Sequence, residues 1–158
     1  MTLTMTNTLL AFPERGFITQ PGSPPRPTGM RATILDLLIK ADRPVAAYWL
    51  IDRLRTTGKL VAPPTVYRAL NALQRAGLAH KVESLSAFTA CRHPDHDHQG
   101  QFLICSECGK TEELADHDVA ERMRESAERQ GFQPAHQVIE VLGTCASCAK
   151  GHAKSNVR

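Results

Sequence analysis

Two Cys-x-x-Cys pairs constrain this chain more than any other feature: Cys105-Ser106-Glu107-Cys108 and Cys145-Ala146-Ser147-Cys148. Each presents two sulfur ligands from what reads as one tight turn, and two such turns complete the tetrahedral sulfur shell that holds Zn²⁺. The 36 residues between the pairs exceed the spacing of a compact zinc ribbon, so a shared ion would tie one end of a domain to the other. A closed four-thiolate shell leaves no open coordination position, which suits a structural ion. The competing reading is a redox dithiol, and two copies in a chain with five cysteines argue against it. The first charge is Glu14, so the start lacks the basic-then-apolar layout of a secretory signal. The expectation is therefore a cytoplasmic chain with reduced thiols rather than a disulfide framework. No apolar run approaches the roughly 20 residues that cross a bilayer.

The fifth cysteine, Cys91, lies beside His93, His96, Asp97 and His98. A soft thiolate among imidazoles suits zinc better than magnesium, calcium or manganese. Glu113, near the first cysteine pair, and His80 are additional candidate ligands. The bland alternative is a His-rich surface loop that picks up metal adventitiously.

Charge divides the chain at the same place. Residues 1–90 carry 11 Lys/Arg against 5 Asp/Glu, a net of +6, while residues 91–158 carry 8 against 11, a net of −3. A basic half joined to an acidic half points weakly to nucleic acid for the first. Ordinary solvated surfaces would give the same numbers.

Five of the ten prolines fall within residues 1–28, which predicts a disordered arm. The expected division is then a winged-helix unit over 29–90, a metal-binding unit over 91–150 and a flexible tail over 151–158. Helical periodicity predicts a first helix from Met30, with Ile34, Leu35, Leu38 and Ile39 inward, ending before Asp42-Arg43-Pro44. A second is predicted from Val45 to about Arg55, with Ala46, Leu50 and Leu54 on one face. A third lies between Pro63-Pro64 and Gly77, punctuation that suits a helix start and stop. Its inward residues are Val66, Leu70 and Leu73. Its other side presents Tyr67, Arg68, Asn71, Gln74 and Arg75, with no acid. Arg can pair with guanine and Asn or Gln with adenine in a major groove, and Tyr and Arg reach phosphates. A β-ribbon over His80–Val82 and Ala87–Ala90, turning at Glu83-Ser84, completes a winged helix-turn-helix.

Beyond Cys91 two strands are expected at Gln101–Cys105 and Lys110–Leu114. A helix over 116–130 with Val119, Met123 and Ala127 on one face follows, then a strand from His136 to Leu142. The fold class is thus mixed α/β, a winged helix followed by a small α+β unit. So thin a core usually needs a metal, a partner subunit or both.

In Pro63-Pro64-Thr65-Val66-Tyr67-Arg68-Ala69-Leu70, Ala79-His80-Lys81-Val82-Glu83-Ser84, Ile104-Cys105-Ser106-Glu107-Cys108-Gly109-Lys110 and Val138-Ile139-Glu140 with Cys145-x-x-Cys148, the chain resembles the ferric uptake regulator family. Within it, the match is to the zinc-sensing subgroup, and it runs from about residue 28 to 150. The resemblance implies a dimeric, metal-activated transcriptional repressor of double-stranded operator DNA, with no small-molecule substrate, no membrane and no enzymatic activity. It implies at least two zinc ions per chain. One is structural, on Cys105, Cys108, Cys145 and Cys148, and one is regulatory, on His80, Cys91, His98 and Glu113. It implies DNA contacts from Tyr48 and Arg68, to which Thr65, Tyr67, Asn71 and Arg75 are added from the helix face. A third site would draw on His96, Asp97, His117, Glu121 and His136, although Ala120 stands where relatives have the acid. Ala46 stands where many relatives have a hydroxyl N-cap, so that side-chain bond is expected to be missing. An iron or manganese sensor of the same family is the alternative, and Cys91 argues for zinc. A zinc hydrolase using His80, Cys91 and His98 with Glu113 as base is the remote one. Four protein ligands would close its metal to water, and no nucleophile elbow, phosphate loop or His-Glu-x-x-His occurs.

Overall fold

The computed structural model describes residues 27–58, 60–94 and 100–155, with side chains through Lys150. The arm expected over 1–28 therefore lies, apart from its last two residues, outside the described residues.

Three helices open the fold: α1 (Met30–Ala41), α2 (Ala47–Thr56) and α3 (Pro63–Arg75). Helix α1 stops where Asp42 enters the left-handed region at φ 48°, just ahead of Arg43-Pro44. Helix α3 carries its two prolines in the first turn, where a missing amide costs nothing. Gly77 at φ 67° then reverses the chain, and Leu78 donates back to the Leu73 carbonyl at 2.9 Å. A hairpin follows directly, β1 (Ala79–Val82) against β2 (Ala87–Ala90), in register from Ala79↔Ala90 to Val82↔Ala87. Ile34, Leu35 and Leu38 of α1, Leu50, Ile51 and Leu54 of α2, and Val66, Leu70 and Leu73 of α3 form one buried core with Phe88 of the hairpin.

The second helix differs from expectation at its start. Ala46 is exposed and precedes the helix with no side-chain cap, so the buried face is Ala47, Leu50, Ile51 and Leu54. The reason lies in Val45, whose amide and carbonyl pair with Phe88 at 2.9 and 2.8 Å. That bridge holds the backbone extended until Ala46 and attaches the hairpin to the helices.

The remainder comprises β3 (Gln101–Cys105), β4 (Thr111–Leu114), α4 (His117–Arg129), β5 (Ile139–Gly143) and α5 (Ala146–Ser155). The sheet order is β4-β3-β5, with β3 antiparallel to β4 and parallel to β5. Asp116 caps α4 by accepting the Asp118 and Val119 amides at 3.0 and 3.2 Å. Two strand starts move: Lys110 belongs to the turn before β4, and β5 begins at Ile139 rather than His136, while α5 is an additional helix that continues through Ser155. Beyond Cys91, the buried positions among the described residues are Gly100, Gln101, Phe102, Ile104 and Cys105. The predicted apolar stripe of α4 buries nothing in the single chain, and Met123 is 58% exposed. The two units thus differ in kind: one owns a core and the other does not.

Leu70→Ala should cost about 2–5 kcal/mol by leaving a cavity between three helices. Leu85→Ala at the exposed hairpin turn should stay within about 0.5 kcal/mol. Urea denaturation of both variants checks this.

Candidate metal centres and nucleic-acid interface

Cys105 ends β3, and the turn after it is closed by two bonds, Gly109 amide to Cys105 carbonyl at 2.9 Å and Cys105 amide to Lys110 carbonyl at 2.8 Å. Gly109 adopts φ 72° there, a conformation that glycine reaches without a Cβ clash. The Ser106 amide donates to Gly143 at the end of β5, 2.8 Å away, which brings the second cysteine pair alongside. Cys145 precedes α5 and Cys148 lies within it. The second pair therefore opens a helix and is not the isolated turn its spacing suggests.

The four sulfurs lie within 4.8 Å of one another, with Cys108 Sγ and Cys145 Sγ 3.8 Å apart. Zinc–sulfur bonds near 2.3 Å in a tetrahedron require sulfur–sulfur edges of about 3.8 Å, whereas a disulfide would need roughly 2.05 Å. All five cysteines are free thiols. Amide donation from Cys145, then from Cys108, holds the Cys105 thiol down at about 6. The Cys148 amide lowers Cys145. Cys148 is pushed up to about 12 by the sulfurs of Cys145 and Cys108. Four thiolates this close repel one another, and a bound divalent cation removes the conflict. The donor set fits zinc.

A second cluster joins the hairpin to the C-terminal sheet. His80 on β1, Cys91 just past β2 and Glu113 on β4 place a nitrogen, a sulfur and an oxygen within 4.8 Å of one another. His80 Nε2 is 3.0 Å from Glu113 Oε1, and the Cys91 thiol donates to the same oxygen at 3.7 Å. The Arg92 amide donates to Glu113 Oε2 at 2.9 Å, which orients the carboxylate. Cys91 is 7% exposed, and its amide bonds the Leu78 carbonyl at 3.0 Å. The His80 ring packs edge-on against Phe102 with centroids 5.8 Å apart. Gly100 is needed beside them, because a Cβ there would sit 2.8 Å from Phe102 Cε2 and 3.2 Å from His80 Nδ1. Imidazole, thiolate and carboxylate together are a zinc-type donor set. His98, the expected fourth ligand, lies outside the described residues, as do His96 and Asp97.

Of the third candidate site, the described members are His117, Glu121 and His136, and among the described residues these three are not grouped within 4.8 Å of one another. His117 and His136 are both exposed. The Glu121 carboxylate is engaged by Arg124, which donates from Nε at 3.0 Å and holds the acid below its usual range.

On α3, Tyr67, Arg68, Asn71 and Arg75 are exposed and Thr65 is half-buried. Arg68 reaches Thr65 Oγ1 at 3.5 Å, and Gln74 donates to Asn71 Oδ1 at 3.4 Å. Tyr48, 68% exposed, stands on the first turn of α2. Glu140, which counted in the sequence only toward the family resemblance, has a structural role. Its carboxylate on β5 accepts the amides of Glu83 and Ser84 at 2.5 and 2.9 Å. An acid inside the otherwise apolar run Val138–Leu142 was the available signal.

Comparison with known proteins gives a consistent picture. The model of the ferric uptake regulator family matches residues 24–142. The zinc uptake regulation protein of Escherichia coli (strain K12) is 38% identical over 129 residues, covering 81% of this chain and 75% of the relative. A crystal structure of holo XcZur aligns with a TM-score of 0.71 at 47% identity, covering 78% of this chain and 86% of the other. A zinc uptake regulator complexed with zinc and DNA aligns with a TM-score of 0.74 at 38% identity, covering 80% and 85%.

Cys105→Ser should remove one zinc per chain and weaken the C-terminal unit, because binding energy at a structural ion is folding energy. Metal counting together with thermal melting checks both effects.

Proposed function

The chain belongs to the ferric uptake regulator family, and from that premise we propose that it is a zinc-responsive transcriptional repressor. It binds palindromic operator DNA as a homodimer when its regulatory site is loaded. The observation that carries this reading is the cluster of His80, Cys91 and Glu113, whose ligands come from the hairpin, the connection after it and the C-terminal sheet. The likeness to a zinc uptake regulator complexed with zinc and DNA supports it.

His98 is the fourth regulatory ligand in this reading, and Cys105, Cys108, Cys145 and Cys148 hold the structural ion. A zinc ion held by these regulatory ligands would supply a coordinative cross-link between the DNA-binding unit and the sheet. A swing from 1:99 to 99:1 between two arrangements needs about 5.5 kcal/mol of differential affinity, which donors assembled from both units can provide. Arg68 and Asn71 read base edges, Tyr48, Thr65, Tyr67 and Arg75 position the helix on the backbone, and the basic N-terminal half meets the phosphates. The exposed apolar side chains of α4 and β5, including Val119, Met123, Val141 and Leu142, form the dimer contact. Two α3 helices then enter successive major grooves about 34 Å apart. The site of action is the cytoplasm, where operator DNA is found.

Cys91 favours zinc over the iron or manganese reading, since a thiolate is a soft donor. A hydrolytic reading fits poorly, because the Glu113 side chain is 2% exposed and engaged by His80 and Arg92. Operator binding titrated in zinc, iron and manganese buffers tests the assignment. Half-maximal binding at the lowest free concentration for zinc is expected, and preference for another metal overturns it. Cys91→Ser should lose zinc-stimulated binding with melting little changed. Arg68→Ala should weaken operator binding by about 1–3 kcal/mol and relax preference at one base position. Competition against randomised sites measures that.

A further inference from the structure

Glu140 fastens the two units at a place that the metal ligands do not touch. Both of its oxygens accept backbone amides from consecutive residues of the hairpin turn, Glu83 and Ser84, more than fifty residues away in sequence. Across the sheet Glu140 pairs with Phe102, the residue packed on His80. Two residues further along β1, Val82 is buried with Phe102 and Ile104 in a small core shared by hairpin and sheet. The hairpin is therefore held at three points: the His80 cluster, the Val82–Phe102–Ile104 contact and the Glu140 carboxylate. Burial works against the charge on Glu140, yet the hydrogen bonds from Ser84 and Glu83 keep its carboxyl below the usual range, so the acceptor is ionised at neutral pH. Charge-assisted bonds of this kind are the stronger class.

Resting on the functional reading above, we propose that Glu140 is a positioning residue, a metal-independent latch that sets how much zinc the chain needs before it binds DNA. The latch contributes to the closed arrangement whether or not the regulatory site is loaded. The apparent dissociation constant for a ligand of the closed form scales inversely with the fraction already closed. Removing the latch lowers that fraction, and the metal must make up the difference.

The test uses the full chain in zinc buffers with a DNA fragment selected from a random pool by the zinc-loaded wild type. Glu140→Ala is compared with Glu140→Gln, which retains one acceptor oxygen and the side-chain shape in case the alanine variant folds poorly. The free-zinc midpoint for DNA binding is expected to rise about tenfold in Glu140→Ala, equivalent to roughly 1.4 kcal/mol, and by less in Glu140→Gln. At saturating zinc both variants should keep the wild-type metal count and bind DNA within about twofold of wild type. A lower melting temperature with an unmoved midpoint in both variants would make Glu140 a stabilising contact only and overturn the latch alone. Wild-type DNA binding that ignores zinc would overturn the functional reading and the latch with it.

Discussion

The C-terminal unit depends on its four-cysteine cluster because it has almost nothing else to hold it. Beyond Cys91, Gly100, Gln101, Phe102, Ile104 and Cys105 are the buried positions among the described residues, too little apolar area to offset the entropy of ordering a sheet and two helices. The cluster joins the β3–β4 turn to the start of α5, closing the sheet at the end where β3 and β5 run side by side. The uncovered apolar side chains of α4 and β5 follow from the same shortage. So thin a unit suits the proposal that it takes up an ion at one end and a second copy across its exposed apolar face.

The winged helix is the opposite case. Its core of leucines, isoleucines and valines is contiguous across three helices and the hairpin, so it can move as a body without losing its own fold. Coupling then has to occur at the seam, where three kinds of contact meet the hairpin: metal-type ligands at His80, apolar packing at Val82 and amide capture by Glu140. Arg92 extends the seam, since its amide orients Glu113 while its guanidinium pairs with Asp42 at the end of α1, 2.7 Å away. The cluster of His80, Cys91 and Glu113 is thus tied to the helices by the hairpin's share of their core and by this ion pair.

Much of this was legible in the residue pattern, and the exceptions have physical causes. Helix α3 was bounded by Pro63-Pro64 and Gly77, signals that act locally and survive any tertiary context. The start of α2 was not legible, because the pairing of Val45 with Phe88 is a contact between residues distant in sequence. Helix α5 was missed because a Cys-x-x-Cys pair reads as a tight turn. The first pair does make a turn, but the second sits on a helical one. Glu140 stood out only as an acid in an apolar run, and its partners were not legible because they are backbone amides of a remote turn.

The sequence by itself determined the donor chemistry: four cysteines in two close pairs, one more thiol near histidines, and a helix face of donors without acids. Those are properties of residue type and short spacing, which local physics sets. Only the tertiary structure decided which ligands share a site, because bringing His80, Cys91 and Glu113 within reach needs the hairpin, its connection and the sheet to meet. The same long-range packing decided that one carboxylate on β5 would hold the hairpin turn. Distances between remote segments are fixed by how cores and sheets pack, and no local pattern encodes them.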